Sequence, residues 1–338
     1  MENTPDISPL APPLAVYKDR STGLVIFGIM TVLLGGLWGL LTLFMSVSLL
    51  RIRSTGTPPV STVGILPILG SYGGLTVALI WLWTGSILKR RWARALLLIF
   101  SWSWLVMGIF MTAIMPFVMA KTMASVPPNA TTGQPALPPG AITGMVIGMT
   151  LFFFVFFVLV PAIWVFFYQS RHVRATCEAS DPVTRWTDAC PLPVLGFSLW
   201  TWLGVPMMLL WPLTGHAVLP CFGVFVSGLP AALFCVVIAA VWGTAARWLY
   251  RLDARGWWLI LVAMLVFTAS ALLTYARHGI VEMYQLQGLP PAQIDQMQKM
   301  GLLSSRSLGW FSVLFTLPFL GYLLFIKKYL GQKSDRLG

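Results

Sequence analysis

The sequence predicts an all-α, polytopic transmembrane helical bundle of about eight spans, and three observations predict it. Of the 338 residues, 57% are hydrophobic and only 9% are charged, against about 25% charged in a typical soluble domain. The apolar residues are gathered into uncharged runs of the ~20 residues that a helix needs to cross a bilayer core. The cations stand at the ends of those runs instead of forming one hydrophilic domain, so the net charge of +12 reads as a topology signal and not as a nucleic-acid surface.

Taken in order, residues 1–21 are a polar, Pro-rich tail ahead of a first run, 22–50. That run is longer than the ~7 to 15 apolar residues of a cleavable signal, so it is expected to stay in the mature chain. Runs 63–88, 95–119 and 142–168 complete a first half, 22–168. A polar segment, 169–193, leads to a second half, 194–326, with runs 194–213, 217–246, 257–275 and 308–326 and a long outer loop, 276–307. A basic tail, 327–338, ends the chain.

With the N-terminus inside, the inner segments hold Lys18, Arg20, Lys89, Arg90, Arg91, Arg94, Arg171, Arg174, Arg185, Arg247, Arg251, Arg255 and the cations of the C-terminal tail. The outer segments hold Arg51, Arg53, Lys121, Arg277, Lys299 and Arg306. This alternation requires an even number of spans with both termini in the cytoplasm. Trp92, Trp248, Trp257 and Trp258 flank inner loops and Trp211 and Trp310 lie near outer ones, as aromatic belts at the two interfaces do.

The stretches WTGSILKRRWARALLLIFSWSWLVM and VWGTAARWLYRLDARGWWLILVAML run through the same events: an apolar helix, a basic loop with Trp and Arg, then a Trp-bearing apolar helix. In each half the third run is followed by a long outer loop. Two parallel four-helix repeats would be related by an axis along the membrane normal, although shared topological constraints alone would also produce the likeness. Glycines recur at four-residue spacing at Gly35 and Gly39, Gly70 and Gly74, and Gly140, Gly144 and Gly148, a pattern that lets helix backbones approach within the chain or across a dimer seam. Pro206, Pro212, Pro220 and Pro230 fall in the fifth and sixth runs, where they are expected to kink or break helices. In the outer loop, LPPAQIDQMQKMG suits a short surface helix that starts at Pro290 and Pro291 and shares Ile294 and Met297 on one face. Asn129-Ala130-Thr131 is an outer-loop sequon.

GSILKRRWARALLLIFSWSWL and RHVRATCEASDPVTRWTDACPLPV resemble patterns in a family of bacterial multi-pass membrane proteins that has no assigned activity. The resemblance extends over most of the chain. It implies a bacterial cytoplasmic (inner) membrane and carries no chemistry with it.

Every acid falls in a loop, a terminus or the edge of a run, and no Lys or Arg falls within a run. A charge at mid-bilayer costs at least about 2.5 kcal/mol and persists where function demands it. This distribution argues against a proton pump, a carboxylate-coupled carrier and an intramembrane aspartyl protease. HExxH, GxGxxG and P-loop patterns are absent. Two constellations remain. The segment 171–194 carries Cys177, Cys190, His172, Asp181 and Asp188, which can be read as a structured or solvated loop, a zinc site lacking the usual CxxC spacing, or a redox pair. On the outer side, Tyr275, His278 and Glu282 share a face if a helix continues beyond the seventh run. With His216 from the preceding outer loop, His278 and Glu282 make a conceivable metal site, and the two histidines a conceivable haem site. A simple interfacial His-Glu pair is the competing reading.

The sequence therefore favours a non-enzymatic inner-membrane component or interaction protein without a cofactor. Its expected partners are membrane lipid and a second copy or another membrane protein, not nucleic acid. A carrier or channel for a neutral or lipophilic substrate is the alternative, and an outer-face metal or haem enzyme is the third reading.

Overall fold

The computed structural model describes residues 18–54, 62–125, 139–214, 217–291, 294–295, 298 and 305–330. Helix α1 spans Ser21–Ser54, α2 Thr62–Ile87 and α3 Arg91–Ser125. Then α4, Pro139–Phe154, passes through a π-helical turn, Val155–Leu159, into α5, Val160–Gln169. A short helix, α6, Arg171–Ser180, precedes α7, Leu192–Leu210. Strands β1, Val218–Cys221, and β2, Val224–Ser227, lead into α8, Gly228–Tyr250, followed by α9, Ala254–Arg277, α10, Ile280–Leu286, and α11, Ser305–Lys327.

Among the described residues, six helical segments are long and apolar enough to cross a membrane: Ser21–Ser48, Arg91–Ala120, Thr143–Gln169, Leu192–Thr214, Gly228–Tyr250 and Ala254–Arg277. Shorter apolar stretches, Tyr72–Ile87 and Thr316–Lys327, lie in α2 and α11. Several hydroxyls inside these helices are satisfied locally. Thr31, Thr42, Thr76, Ser101 and Thr150 each donate to the carbonyl four residues back, which is how a polar side chain is accommodated without water.

The helices run up and down, and each half has its own apolar cluster at the end that carries the basic loops, the basic end. In the first half, Leu24 at the start of α1, Leu82 near the end of α2, Leu97 and Leu98 near the start of α3, and Trp164 and Tyr168 of α5 pack together. In the second half the matching places are Val194 and Phe197 of α7, Ala245 and Leu249 of α8, Trp257 and Ile260 of α9, and Leu323 and Ile326 of α11. A buried serine ties the first two helices in each case. Ser86 Oγ donates to the Leu24 carbonyl at 3.1 Å, and Ser198 Oγ to the Ala246 carbonyl at 2.8 Å. The halves meet along α3 and α7, where Trp200 Nε1 donates to Ser103 Oγ at 2.6 Å.

Pro161 explains the π-helical turn. It has no N–H for the Phe157 carbonyl four residues back, and the helix widens, with Val160 N–H reaching the Val155 carbonyl. The Phe157 carbonyl faces Gly108 on α3 so closely that a Cβ there would collide with its oxygen. Only glycine admits this approach.

Several expectations are corrected. The bundle is helical but not purely so, because β1 and β2 pair antiparallel, with Val218 opposite Ser227 and Cys221 opposite Val224. The run 217–246 therefore begins as a hairpin, and its helix starts only at Gly228. Pro220 lies in an edge strand, where no ladder donor is required. Pro212 falls in the 3-10 turn Trp211–Thr214 that ends the preceding helix, Pro230 lies in the first turn of α8, and Pro206 alone of the four is inside a helix. Gly35 packs α1 against Leu79 of α2, and Gly39 against Thr76. Among the described residues, nothing beyond the helix's own backbone lies within 4 Å of where a Cβ would stand at Gly70, Gly74, Gly140, Gly144 or Gly148. Asn129, His216, Met297 and Trp310's side chain lie outside the described residues, as does most of the expected surface helix.

Candidate functional site

The polar segment 171–194 is not a free loop. Its first ten residues form α6, capped by Ser170, whose Oγ accepts from the His172 amide. Val173, Thr176 and Cys177, spaced to share one face, are buried against the basic end of the first half, while Arg171, Arg174 and Glu178 lie on the outer side. Thr176 Oγ1 receives the Arg20 amide at 3.2 Å, and so α6 also holds the entry to α1.

The acids that follow neutralise the α2–α3 connection. Asp181, 2% exposed, accepts from Arg185 Nη2 at 2.9 Å and from Arg185 Nε at 3.3 Å, and its Oδ1 lies 3.6 Å from Arg90 Nη1. The hydrogen bond from Arg185 holds its carboxyl below the usual carboxylate range, helped by the charge of Arg185, the Arg91 backbone amide and Arg90. Arg91 lies 3.5 Å from both Glu178 and Asp188. Glu178 also accepts from Arg174 at 2.8 Å, which raises that guanidinium above its ordinary value. Arg94 Nε donates to the Tyr168 carbonyl at the C-terminus of α5, where a cation suits the helix dipole.

The segment is a structured loop. Cys177 and Cys190 are free and buried, and burial pushes each thiol up to about 11. Burial thus disfavours the thiolate, the reactive form of a cysteine. Asp181 and Asp188 are engaged by arginines, and His172 Nδ1 faces the Lys18 amide at 3.4 Å. Among the described residues no three His, Cys, Asp or Glu side chains come together to hold a metal ion. The described acids of the segment are engaged in charge pairing.

At the opposite, hairpin end, the expected continuous helix is broken. α9 stops at Arg277, His278 takes an extended conformation, and α10 begins at Ile280. Tyr275 is thereby separated from the pair, and its hydroxyl points to Met283 Sδ at 3.5 Å. His278 Nδ1 and Glu282 Oε2 nevertheless meet at 2.8 Å, both partly exposed. His216 lies outside the described residues.

A feature that spacing did not reveal is the clamp on the hairpin. Phe222 and Gly223 both have positive φ, 44° and 97°, as a tight two-residue hairpin turn requires. Their amides donate to Ser270 Oγ at 2.9 Å and Thr274 Oγ1 at 3.0 Å, and Ser270 Oγ donates in turn to the Pro220 carbonyl. Two buried hydroxyls one helical turn apart thus hold the turn against α9 and offset the strain of a left-handed Phe222. A side chain at Gly223 would meet the Arg277 guanidinium at 2.7 Å.

Of the acids among the described residues, all but Asp295 are accounted for in this way. Asp19 and Asp253 accept backbone amides at the starts of α1 and α9, and Glu178, Asp181, Asp188 and Glu282 are paired. Comparison with family models, with curated proteins and with solved structures finds no match.

Proposed function

We propose that the chain is an eight-span protein of a bacterial inner membrane with both termini in the cytoplasm, built of two parallel four-helix repeats, and that it acts without catalysis, as a membrane component or through interaction. The observation that carries this reading is the employment of the acids. The commonest hydrolytic, proton-transfer and metal sites include a carboxylate or thiolate free to reach a reactant or a metal. Here the described acids cap helices, neutralise arginines or, in Glu282, meet a histidine, apart from Asp295. That each apolar cluster draws on all the long helices of its half supports the repeat, and the accumulation of cations at the basic end supports the orientation.

Topology is tested by single cysteines placed at exposed positions in a background lacking the native ones, for instance Arg171→Cys and Phe222→Cys. The reading expects an impermeant maleimide to reach the second but not the first from outside intact cells. Labelling of Arg171→Cys from outside overturns it. The second reading, a carrier for a neutral or lipophilic substrate, is favoured by one observation: each half owns a separate apolar cluster and can move as a body. Saturable flux of a neutral solute into proteoliposomes would replace the first reading with the second.

A further inference from the structure

Basic connections occupy matching places in the two halves, and only one is neutralised from within. In the α2–α3 connection Arg90 and Arg91 face Asp181, Glu178 and Asp188. The α8–α9 connection carries Arg247, Arg251 and Arg255, and α11 brings Lys327 and Lys328 to the same end. All five are exposed. Among the described residues none of them has an ion pair. The one acid in that connection, Asp253, is committed through Oδ1 to the Arg255 amide as the cap of α9.

The lysines are also held over aromatic rings. Lys327 Nζ lies 4.7 Å from the ring centre of Trp257 and 5.7 Å from that of Trp258. The Trp257 ring is itself fixed, 3% exposed, with Nε1 donating to the Leu323 carbonyl at 2.7 Å. Towards the bundle centre from these rings the surface is apolar: Trp258 and Val262, one turn apart on α9, and Phe325 on α11 are each about half exposed. A lysine held over an aromatic belt, exposed arginines on the neighbouring connection and an exposed apolar strip match an amphiphile with an anionic head.

We propose that this corner, Arg251 and Arg255 with Lys327 poised over Trp257 and Trp258, binds an anionic phospholipid, with its phosphate among the cations and its acyl chains along Trp258, Val262 and Phe325. The site rests on the membrane placement proposed above. Free phosphate shares the head-group chemistry but has no use for the apolar strip.

The test is native mass spectrometry of the full chain in mild detergent, titrated with phosphatidylglycerol or phosphatidylcholine. A triple variant, R251Q/R255Q/K327Q, is compared with K18Q/R20Q/R171Q, which removes equal charge from the same end of the bundle. Wild type and the second triple are expected to retain phosphatidylglycerol in preference to phosphatidylcholine. The first triple should lose about a hundredfold in apparent affinity, and R251K/R255K/K327R should restore it. Equal loss in both triples would reduce the effect to general surface attraction and overturn the site, as would undiminished retention in the first. Displacement by inorganic phosphate at millimolar concentration would overturn the lipid assignment. Should the first triple misfold, K327Q alone decides, with a loss of about fivefold expected and none overturning the site. Flotation of wild type with vesicles separates the two levels. Failure to float removes the membrane reading, whereas flotation with charge-independent lipid retention removes this inference alone.

Discussion

Asp181 is the acid on which the basic end turns, and its replacement is a quantitative test of that view. Removing one member of a buried ion pair costs about 3–5 kcal/mol, because the partner is left uncompensated. The partners here are not fully buried: the Arg185 side chain is 35% exposed and that of Arg90 40% exposed, so both can recover water once the carboxylate is gone. The hydrogen bonds from Arg185 are charge-assisted, each worth about 1.5–3 kcal/mol at most, and solvent screening lowers their sum. We expect Asp181→Ala to destabilise the protein by about 2 kcal/mol and Asp181→Asn, which keeps one acceptor oxygen, by about half as much. Equilibrium unfolding in mixed detergent micelles measures both. The same carboxyl gives the pH dependence its sign. Its pKa is lowered in the fold, so its contribution is present above the unfolded value of about 4 and is lost as pH falls through the lower folded value. The acid limb should therefore flatten in Asp181→Asn. An Asp181→Ala variant as stable as wild type, or a double-mutant cycle with Arg185→Gln that shows no coupling, would refute the reasoning.

Other outcomes follow from the same geometry. Gly108→Ala should destabilise by about 1–3 kcal/mol, because its methyl lands on the Phe157 carbonyl and backbones must part. Gly144→Ala, with open space around it, should be neutral, and thermal unfolding compares the two. Maleimide at pH 7 should modify Cys221 of β1 in the folded protein but not Cys177, Cys190 or Cys235, which are buried; mass spectrometry reads the sites. For Cys177 and Cys190 the fold favours the neutral thiol up to about 11. That contribution is full below the unfolded value of about 8.5 and is lost as pH rises through about 11, and Cys177→Ser should shrink the alkaline loss seen in unfolding curves. His278→Ala should cost no more than about 1 kcal/mol, one exposed hydrogen bond, and leave the metal content measured by elemental analysis unchanged.

The places of the long helices were legible because hydropathy over a window of twenty residues does not depend on what packs against what. The hairpin was missed for the same reason. VLPCFGVFVSG is apolar in any conformation, and a run of that kind is joined to the following helix by a hydropathy window. The local signals were present, in a proline amid valines and a Phe-Gly pair between two short β-branched runs, and they outweigh hydropathy once strand length is considered. The His278–Glu282 contact followed from four-residue spacing. The engagement of Arg90 and Arg91 by acids some ninety residues later did not, since nothing in either segment names its partner. Nor did the breaking of the chain at His278, where Gly279 precedes α10 and separates Tyr275 from the pair. Ser270 and Thr274 read as ordinary helix hydroxyls until a turn with two free amides is brought against them.

The two ends of the bundle are held by different forces, and this fixes where it opens. At the basic end each half has a cluster of large buried side chains, among them Trp164, Tyr168, Leu249 and Trp257, reinforced in the first half by ion pairs. At the hairpin end, among the described residues, the fully buried part of the cluster is Ala217, Leu219, Ala231 and Cys235, with Trp211, Val226 and Ile238 only partly buried against it, so less apolar area is removed from water there, at about 25 cal/mol per Å². What adds to it there are hydrogen bonds from the Phe222 and Gly223 amides to Ser270 and Thr274, each worth about 1 kcal/mol net. Local opening takes the lowest free-energy route, so the hairpin separates from α9 before either basic-end cluster loosens. Amide exchange should accordingly proceed at Phe222 and Gly223, whose N–H groups are held by those two hydroxyls, orders of magnitude faster than at Leu249 or Ile260. Ser270→Ala should accelerate it at Phe222 about fivefold, the factor that corresponds to one such bond. Uniform protection across both ends would mean that the hairpin is bound into the core and that the bundle opens elsewhere.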